Sequence, residues 1–259
     1  MRRQSVRVLE IPVTTGTMQT ASELVCDSAA EHQPFYACAV NVHSTMQSRR
    51  DSELRRALVE ADLNVPDGVP IAWGMRLLGA PGQRRIFGPT LMWNVAGLAA
   101  QRGLPIGLYG STDETLRTLT DNLLTAFPTL EISDAVSPPF RPLSQVEDDA
   151  MVARLNGSGA RILFVGLGAP KQEKWMAEHR GRVEPVMIGV GAAFDYHAGH
   201  LRRAPVWMRR AGLEWLFRLI QEPRRLWRRY VFNNPAYVIQ LSCQVIEERM
   251  LHRRAGSDA

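Results

Sequence analysis

Four short runs, FYACAVNV (35–42), PIGLYG (105–110), RILFVGLG (161–168) and PVMIGVGAAF (185–194), are apolar at nearly every position. Strands covered on only one face alternate apolar with polar residues, so continuous runs of this length predict strands buried on both faces. The stretches between them, 46–60, 90–102, 112–126 and 171–182, have the length and amphipathic pattern of helices. Thr112 and Thr115 with Asp113 and Glu114, just after the Gly110-Ser111 turn, make a helix start. Strand and helix alternating in this way predict an α/β fold with a doubly wound, mostly parallel sheet. Beyond about residue 200 the helix signals run on, punctuated by Pro205, Pro223 and Pro235. The expected organisation is an α/β core over 1–200 and an all-helical appendage over 201–259.

Composition narrows the class. The chain has 259 residues, 45% apolar and 22% charged, which suits one globular domain with an appendage. Nothing approaches the ~18 consecutive apolar residues of a spanning helix. The N-terminal MRRQSVRVLEIPVTTG has no apolar core before a small-residue cleavage site, so it does not read as a secretory signal and a cytoplasmic location is expected. Cys26, Cys38 and Cys243 are odd in number and lack CxxC spacing, which argues for reduced thiols and against a disulfide framework or zinc site.

The charge is strongly local. Between Arg202 and Arg229 nine arginines stand against Glu214 and Glu222, giving that segment +7 when the whole chain carries only +5. Trp207, Trp215 and Trp227 are interleaved with them. Guanidinium groups suit phosphates and indoles suit the headgroup level, so the segment reads either as a surface for an anionic, greasy partner such as a membrane carrying phosphates or as a helical face whose arginines are simply solvated. A nucleic-acid module would also want arginines with aromatics, but here tryptophan and leucine fall at helical spacing, and nucleic acid is not expected as a partner.

Glycines gather where apolar strands end, the carboxyl edge at which open α/β sheets bind ligands. Gly110, Gly168 (in GLGAPK, followed by Lys171) and Gly191 mark three such turns, suited to a nucleotide diphosphate. There is no full GxGxxG and no GxxxxGK[ST], so dinucleotide binding and ATP hydrolysis lose support. Asp67 lies in an apolar-bounded Pro-Asp-Gly turn (ADLNVPDGVPIAWGMRLLG), a place where a carboxylate can be a solvated turn residue or a general base. Gln172 and Glu173 read equally as first-turn helix residues.

Taken in order, DLNVPDG (62–68), VGLGAPKQEKW (165–175), IGVGAAFDYHAG (188–199), RAPVWMRRAGLEWLFRL (203–219) and QEPRRLWRRY (221–230) resemble the WecG/TagA/CpsF family of bacterial glycosyltransferases across roughly residues 35–240. The resemblance implies a UDP-sugar donor, a polyprenyl-pyrophosphate-linked acceptor, inversion at the anomeric carbon, no metal or cofactor, and a membrane-associating appendage. It assigns Asp67 as catalytic base, Gln172 as active-site glutamine, Asn41 as the asparagine of a T-x-N motif and Asp195 as a nucleotide contact. Arg218, Arg225 and Arg228 match appendage arginines that meet the donor diphosphate or acceptor pyrophosphate. One position departs: Ala39 stands where many members carry threonine, with His43 and Ser44 the nearest polar substitutes. The missing hydroxyl weakens the case for N-acetylmannosamine, and the likeness to exopolysaccharide enzymes of the xanthan β-1,4-glucosyltransferase type makes UDP-glucose a further donor candidate.

The chemistry fits the residues. A carboxylate opposite the leaving UDP suffices as base. No convincing DxD is present, since Asp148-Asp149 falls in a polar helical stretch, and arginine forks can take the place of a metal on phosphate oxygens. Arg218, Arg225 and Arg228 share one helical face if Pro223 is accommodated at a helix start; if Glu222-Pro223 is a break, the face comes from two helices. The rival reading is a non-catalytic subunit that docks a polysaccharide assembly complex at the inner membrane face. A monomer and a homo-oligomer would both satisfy these residues.

Overall fold

The computed structural model describes residues 4–210 and 212–257, less the side chains of 209, 210, 225, 229 and 252–257. Its centre is a six-stranded, all-parallel sheet: β3 (Tyr36–Val40), β4 (Leu63–Pro66), β5 (Ile106–Gly110), β6 (Ile132–Val136), β7 (Ile162–Gly166) and β8 (Val186–Gly189), in the order β4-β3-β8-β7-β5-β6. Successive side chains point to opposite faces. Ala37, Leu108, Phe164 and Ile188 therefore enter one core, with helices α1 (Met18–Ala30), α5 (Gly88–Arg102), α6 (Asp113–Ala126) and α9 (Ala193–His197). Tyr36, Cys38, Val165 and Met187 enter the other, with α2 (Val42–Ser48), α3 (Ser52–Val59), α4 (Val69–Leu77), α7 (Gln145–Gly157) and α8 (Lys171–Glu178). The sheet is doubly wound and α/β, with the four apolar runs at its centre.

The structure refines several elements. The stretch 46–60 is two helices, because Asp51 restarts the second by accepting a hydrogen bond from the Leu54 amide at 3.0 Å. The 171–182 helix ends at Glu178. Thr112 caps α6 from its side chain to the Thr115 amide. An antiparallel hairpin, β1 (Ser5–Val8) and β2 (Ile11–Thr14), packs beside edge strand β4, where Asn64 Nδ2 donates to Pro12 O at 2.8 Å.

The C-terminal region comprises α10 (Val206–Arg210), α11 (Glu214–Gln221) and α12 (Pro223–Ser257). Pro223 opens α12, where its missing N–H costs nothing, so Arg218 and Arg228 stand on different helices and the single-face arrangement gives way to the two-helix one. The long helix is part of the core: Tyr237, Leu241 and Val245 join the second cluster. Gly74 on α4 permits this approach, since a Cβ there would lie 2.8 Å from Tyr237 Oη and 3.2 Å from Leu241. Gln244 clamps the hairpin, accepting from the Leu9 amide at 3.0 Å and donating to Arg7 O at 2.8 Å. Cys26 and Cys38 are buried free thiols, and Cys243 is exposed.

Candidate active site

β4 and β3 run side by side to their carboxyl ends, Val40 opposite Pro66, so Asn41 and Asp67 leave the sheet together. The Asp67 amide donates to Val40 O at 2.8 Å. Gly68 follows at φ +109°, a region open to glycine, and turns the chain into α4 with the Asp67 side chain left at the sheet edge. The Asp67 carboxylate accepts from the Gly88 amide at the start of α5. Asn41 caps α2, taking the Ser44 amide at 3.1 Å while Ser44 Oγ takes the Asn41 amide at 3.0 Å. Local sequence, a Pro-Asp-Gly turn and an Asn-x-x-Ser capping box, thus fixes both groups through backbone hydrogen bonds.

Above this edge lies a cavity of about 190 Å³. Its floor is Asn41, Asp67 and Arg85; its roof is Glu214, Trp215 and Arg218 of α11 with Tyr230, Asn233 and Tyr237 of α12. Glu214 is 6% exposed and ion-paired with Arg85. Asn233 Nδ2 donates to His43 Nδ1 at 3.1 Å, tying α12 to α2. The Arg218 guanidinium lies 5.8 Å from the Tyr196 ring centre, and its buried Nε has no hydrogen-bond partner. Burial pushes the Asp67 carboxyl up to about 6 and Glu214 pushes the same way, while Arg218, Arg85 and the Gly88 amide pull it down. A half-buried carboxylate titrating there, among arginines, can accept a proton near neutral pH.

Other sequence-predicted residues sit along the same edge outside the cavity lining. Gln172 is 4% exposed in the first turn of α8, its Nε2 donating to Glu173 Oε1 at 3.0 Å. It backs onto the end of β8, where a Cβ on Gly191 would lie 3.5 Å from Gln172 Oε1. Gly110 meets the backbone of Gly166 across paired strands, and Gly168 accepts the Gln172 amide at 3.0 Å. Lys171 opens α8 and is exposed; Asp195 on α9 is half-buried, 3.9 Å from His200. Arg228 is exposed, its guanidinium 5.3 Å from the Trp227 ring centre and away from the cavity lining. The Arg225 side chain lies outside the described residues. Asp148 and Asp149 are bound by Arg182, and Asp148 also by His179. Among the described residues no three His, Cys, Asp or Glu side chains gather as metal ligands.

Every residue that lines the cavity falls within one family match: residues 6–251 match the family described as Glycosyl transferase WecG/TagA/CpsF. The chain belongs to that family. It is therefore a glycosyltransferase of cell-surface polysaccharide biosynthesis, a class that works from a nucleotide-sugar donor to a lipid-linked acceptor. Within this WecG/TagA/CpsF enzyme, sequence reasoning left out Arg85, Glu214, Tyr230 and Asn233 from the cavity. Arg85 stands three residues before Gly88 and the start of α5, a helix-start signal (FGP) that marks this loop as reaching the sheet edge. Of the two polar residues near Ala39, Ser44 is committed to Asn41 and His43 faces the cavity. Ala39 itself packs toward Gly88, 3.8 Å from a Cβ built there.

Proposed function

We propose that this enzyme transfers a hexose or N-acetylhexosamine, from UDP-glucose or UDP-N-acetylmannosamine, to a polyprenyl-pyrophosphate-linked saccharide with inversion and without a metal ion. The observation that carries this reading is Asp67 raised to about 6 beside Arg218 in a cavity at the carboxyl edge of the sheet. In the reaction an acceptor hydroxyl gives its proton to the Asp67 carboxylate as its oxygen bonds to the anomeric carbon. The bond from that carbon to UDP breaks, and the electron pair leaves on the β-phosphate oxygen. Arg218, Arg225 and Arg228 supply positive charge to the leaving diphosphate or the acceptor pyrophosphate.

The cavity is smaller than the ~300–1,000 Å³ of ordinary ligand sites, so it suits the reacting sugar and a phosphate. The remainder of the donor then runs along Gly191, Gly168 and Gly110, with Lys171 and Asp195 at hand and Gln172 supporting the end of β8. Residues 1–200 supply this catalytic core, and 201–259 the appendage that closes it and docks at the cytoplasmic face of the cell membrane. No described helix is long and apolar enough to cross a membrane. Docking is supported by Trp207, Trp227, Phe232 and Ile239, exposed along α10 and α12, with Arg202 and Arg203 exposed in the segment before α10 and Arg224 and Arg228 exposed on α12.

The test incubates full-length protein with a panel of radiolabelled UDP-sugars and short-chain polyprenyl-pyrophosphoryl mono- and disaccharides, with and without EDTA. Transfer from one donor that survives EDTA is the expected result. Loss in EDTA that Mg²⁺ or Mn²⁺ restores would contradict the arginine-for-metal reading.

A further inference from the structure

Glu214 makes an unusual pair with Arg218. They lie one helical turn apart on α11, a spacing that puts both on one face, and both line the cavity. Glu214 is 6% exposed, and Arg85 holds its Oε2. The other oxygen, Oε1, is buried with no hydrogen-bond partner. Arg218 Nε is buried and unpartnered as well. One turn of helix therefore carries an unpartnered acceptor and an unpartnered donor in the wall of one cavity, with Arg218 Nη2 3.6 Å from Glu222 Oε2.

Buried polar atoms without partners are rare, because each forfeits its hydration for nothing. Two on neighbouring residues that line one cavity point to a ligand with matched groups. The carboxylate oxygen requires a hydrogen donor, which excludes an ionised phosphate: it offers only acceptors and negative charge. Arg218 Nε requires an acceptor, which a phosphate oxygen supplies. A sugar phosphate carries both functions within the length of one helical turn.

We propose that Glu214 reads the sugar: with Oε2 fixed by Arg85, its Oε1 accepts a hydrogen bond from a hydroxyl of the sugar held at Asp67, while Arg218 takes the adjoining phosphate. This rests on the glycosyl-transfer reading above and adds to it a residue that selects for a hydroxyl at one ring position. That hydroxyl belongs to the donor sugar or to the acceptor sugar. In both cases Arg85 acts as a positioning residue, orienting the carboxylate. Burial pushes Asp67 upward first and Glu214 adds to it against Arg218 and Arg85, so the charge that reads the sugar also contributes to the pH at which the base works.

The test uses the full chain with Glu214→Gln, which keeps the shape and removes the charge. Calorimetry with UDP, and with the UDP-sugar that the wild type turns over in the panel, is paired with steady-state kinetics in donor and acceptor. UDP affinity is expected to hold. Loss of a charge-assisted hydrogen bond is expected to weaken either UDP-sugar binding or the acceptor KM by roughly 10–100-fold. A fall confined to the UDP-sugar assigns the hydroxyl to the donor; one confined to the acceptor KM assigns it to the acceptor. The acid limb of the pH profile is expected to move to lower pH, a change that a merely structural residue would not cause. Equal loss of UDP and UDP-sugar affinity would reduce Glu214 to a latch for α11, and unchanged parameters would remove it from the site; both overturn the proposal. Should circular dichroism show that Glu214→Gln does not fold, Glu214→Asp keeps the charge for Arg85 and withdraws Oε1 by one methylene, and is read by the same titrations. Because binding is measured apart from turnover, an active Asp67→Asn variant would sink the base assignment and leave this result standing.

Discussion

The two walls of the cavity are built by different physics. On the sheet side, Asp67 and Asn41 are held by backbone: the Asp67 amide on Val40 O at 2.8 Å, its carboxylate on the Gly88 amide, and Asn41 in a capping box. On the helical side, Arg218 and Glu214 depend on side-chain attachments, an ion pair to Arg85, a ring contact with Tyr196, and the docking of α12 through Tyr237 and Leu241. Backbone hydrogen bonds fix Asp67, the proposed proton acceptor, from the sheet side. Arg218, the proposed phosphate ligand, is placed by the seating of α11. The comparison teaches that the proposed base and cation are positioned by independent contacts, although they share one cavity and are coupled through their charges.

The harshest way to break the comparison is to delete the helical wall. Ending the chain at about residue 200 removes Arg218 and Glu214 together, so transfer should vanish while Asp67 keeps its backbone contacts. It also uncovers the faces of α2 and α4 that Tyr237, Leu241 and Val245 pack against, so gel filtration should show a folded but association-prone core. Flotation with anionic liposomes should be lost with the tail. A truncated core that floats and transfers sugar like the full chain would refute the division of labour.

Asp67→Asn strikes the sheet wall alone. It keeps size and turn geometry and removes the proton acceptor, so kcat should fall by roughly 10²–10⁴ with UDP binding retained. Stability should move the other way. Asp67 titrates near 6 in the folded chain and lower when unfolded, so the contribution of its protonated form is present at low pH and lost as pH rises through 6. The Asn variant, which stays neutral, should melt at or above the wild-type temperature at pH 8 and lose that advantage below about pH 4. A large drop in melting temperature at pH 8 would mean that ionised Asp67 serves the fold.

Removing one cation is milder. Arg218→Ala should lower kcat/KM by roughly 10²–10³, as for loss of one charge-stabilising group, with Arg218→Lys recovering only part because the fork geometry is lost. Full recovery by lysine would show that charge without geometry suffices. The smallest expected effect comes from outside the cavity. Gly74→Ala places a methyl 2.8 Å from Tyr237 Oη, and overpacking of this kind costs about 1–3 kcal/mol. A lowered melting temperature with a raised donor KM would show α12 docking transmitted to the site; no change in either would separate them.

These two walls also differ in how far they could be read from sequence. The sheet wall was legible, because a fully apolar strand and a Pro-Asp-Gly turn are local patterns. Edge strand β4 was read as part of that turn: Leu63–Pro66 is four residues long, and Asn64 breaks the apolar run for a tertiary reason, to bond Pro12 O of the hairpin. The hairpin, β6 and the split of 46–60 into two helices escaped for the same cause, elements too short or too mixed to show a period. The helical wall was legible in charge and in part only in geometry. Nine arginines mark the segment as strongly basic, but which of them line the cavity is decided by the break at Pro223 and by the docking that Gly74 permits. Glu214 looked like one of two stray acids in a basic run, and only its burial against Arg85 marks it as a site residue.

The most direct measurement of the account is the pH dependence of kcat/KM in the wild type and in Arg218→Ala, taken with the same donor and acceptor. Asp67 must be ionised to accept a proton, so the wild-type rate should rise to a plateau through an inflection near pH 6. Arg218 pulls that carboxyl down, so its removal should move the inflection to higher pH while lowering the plateau. A profile that is flat through this range, or an inflection that stays in place in Arg218→Ala, would contradict the claim that a sheet-borne base and a helix-borne cation work as one site.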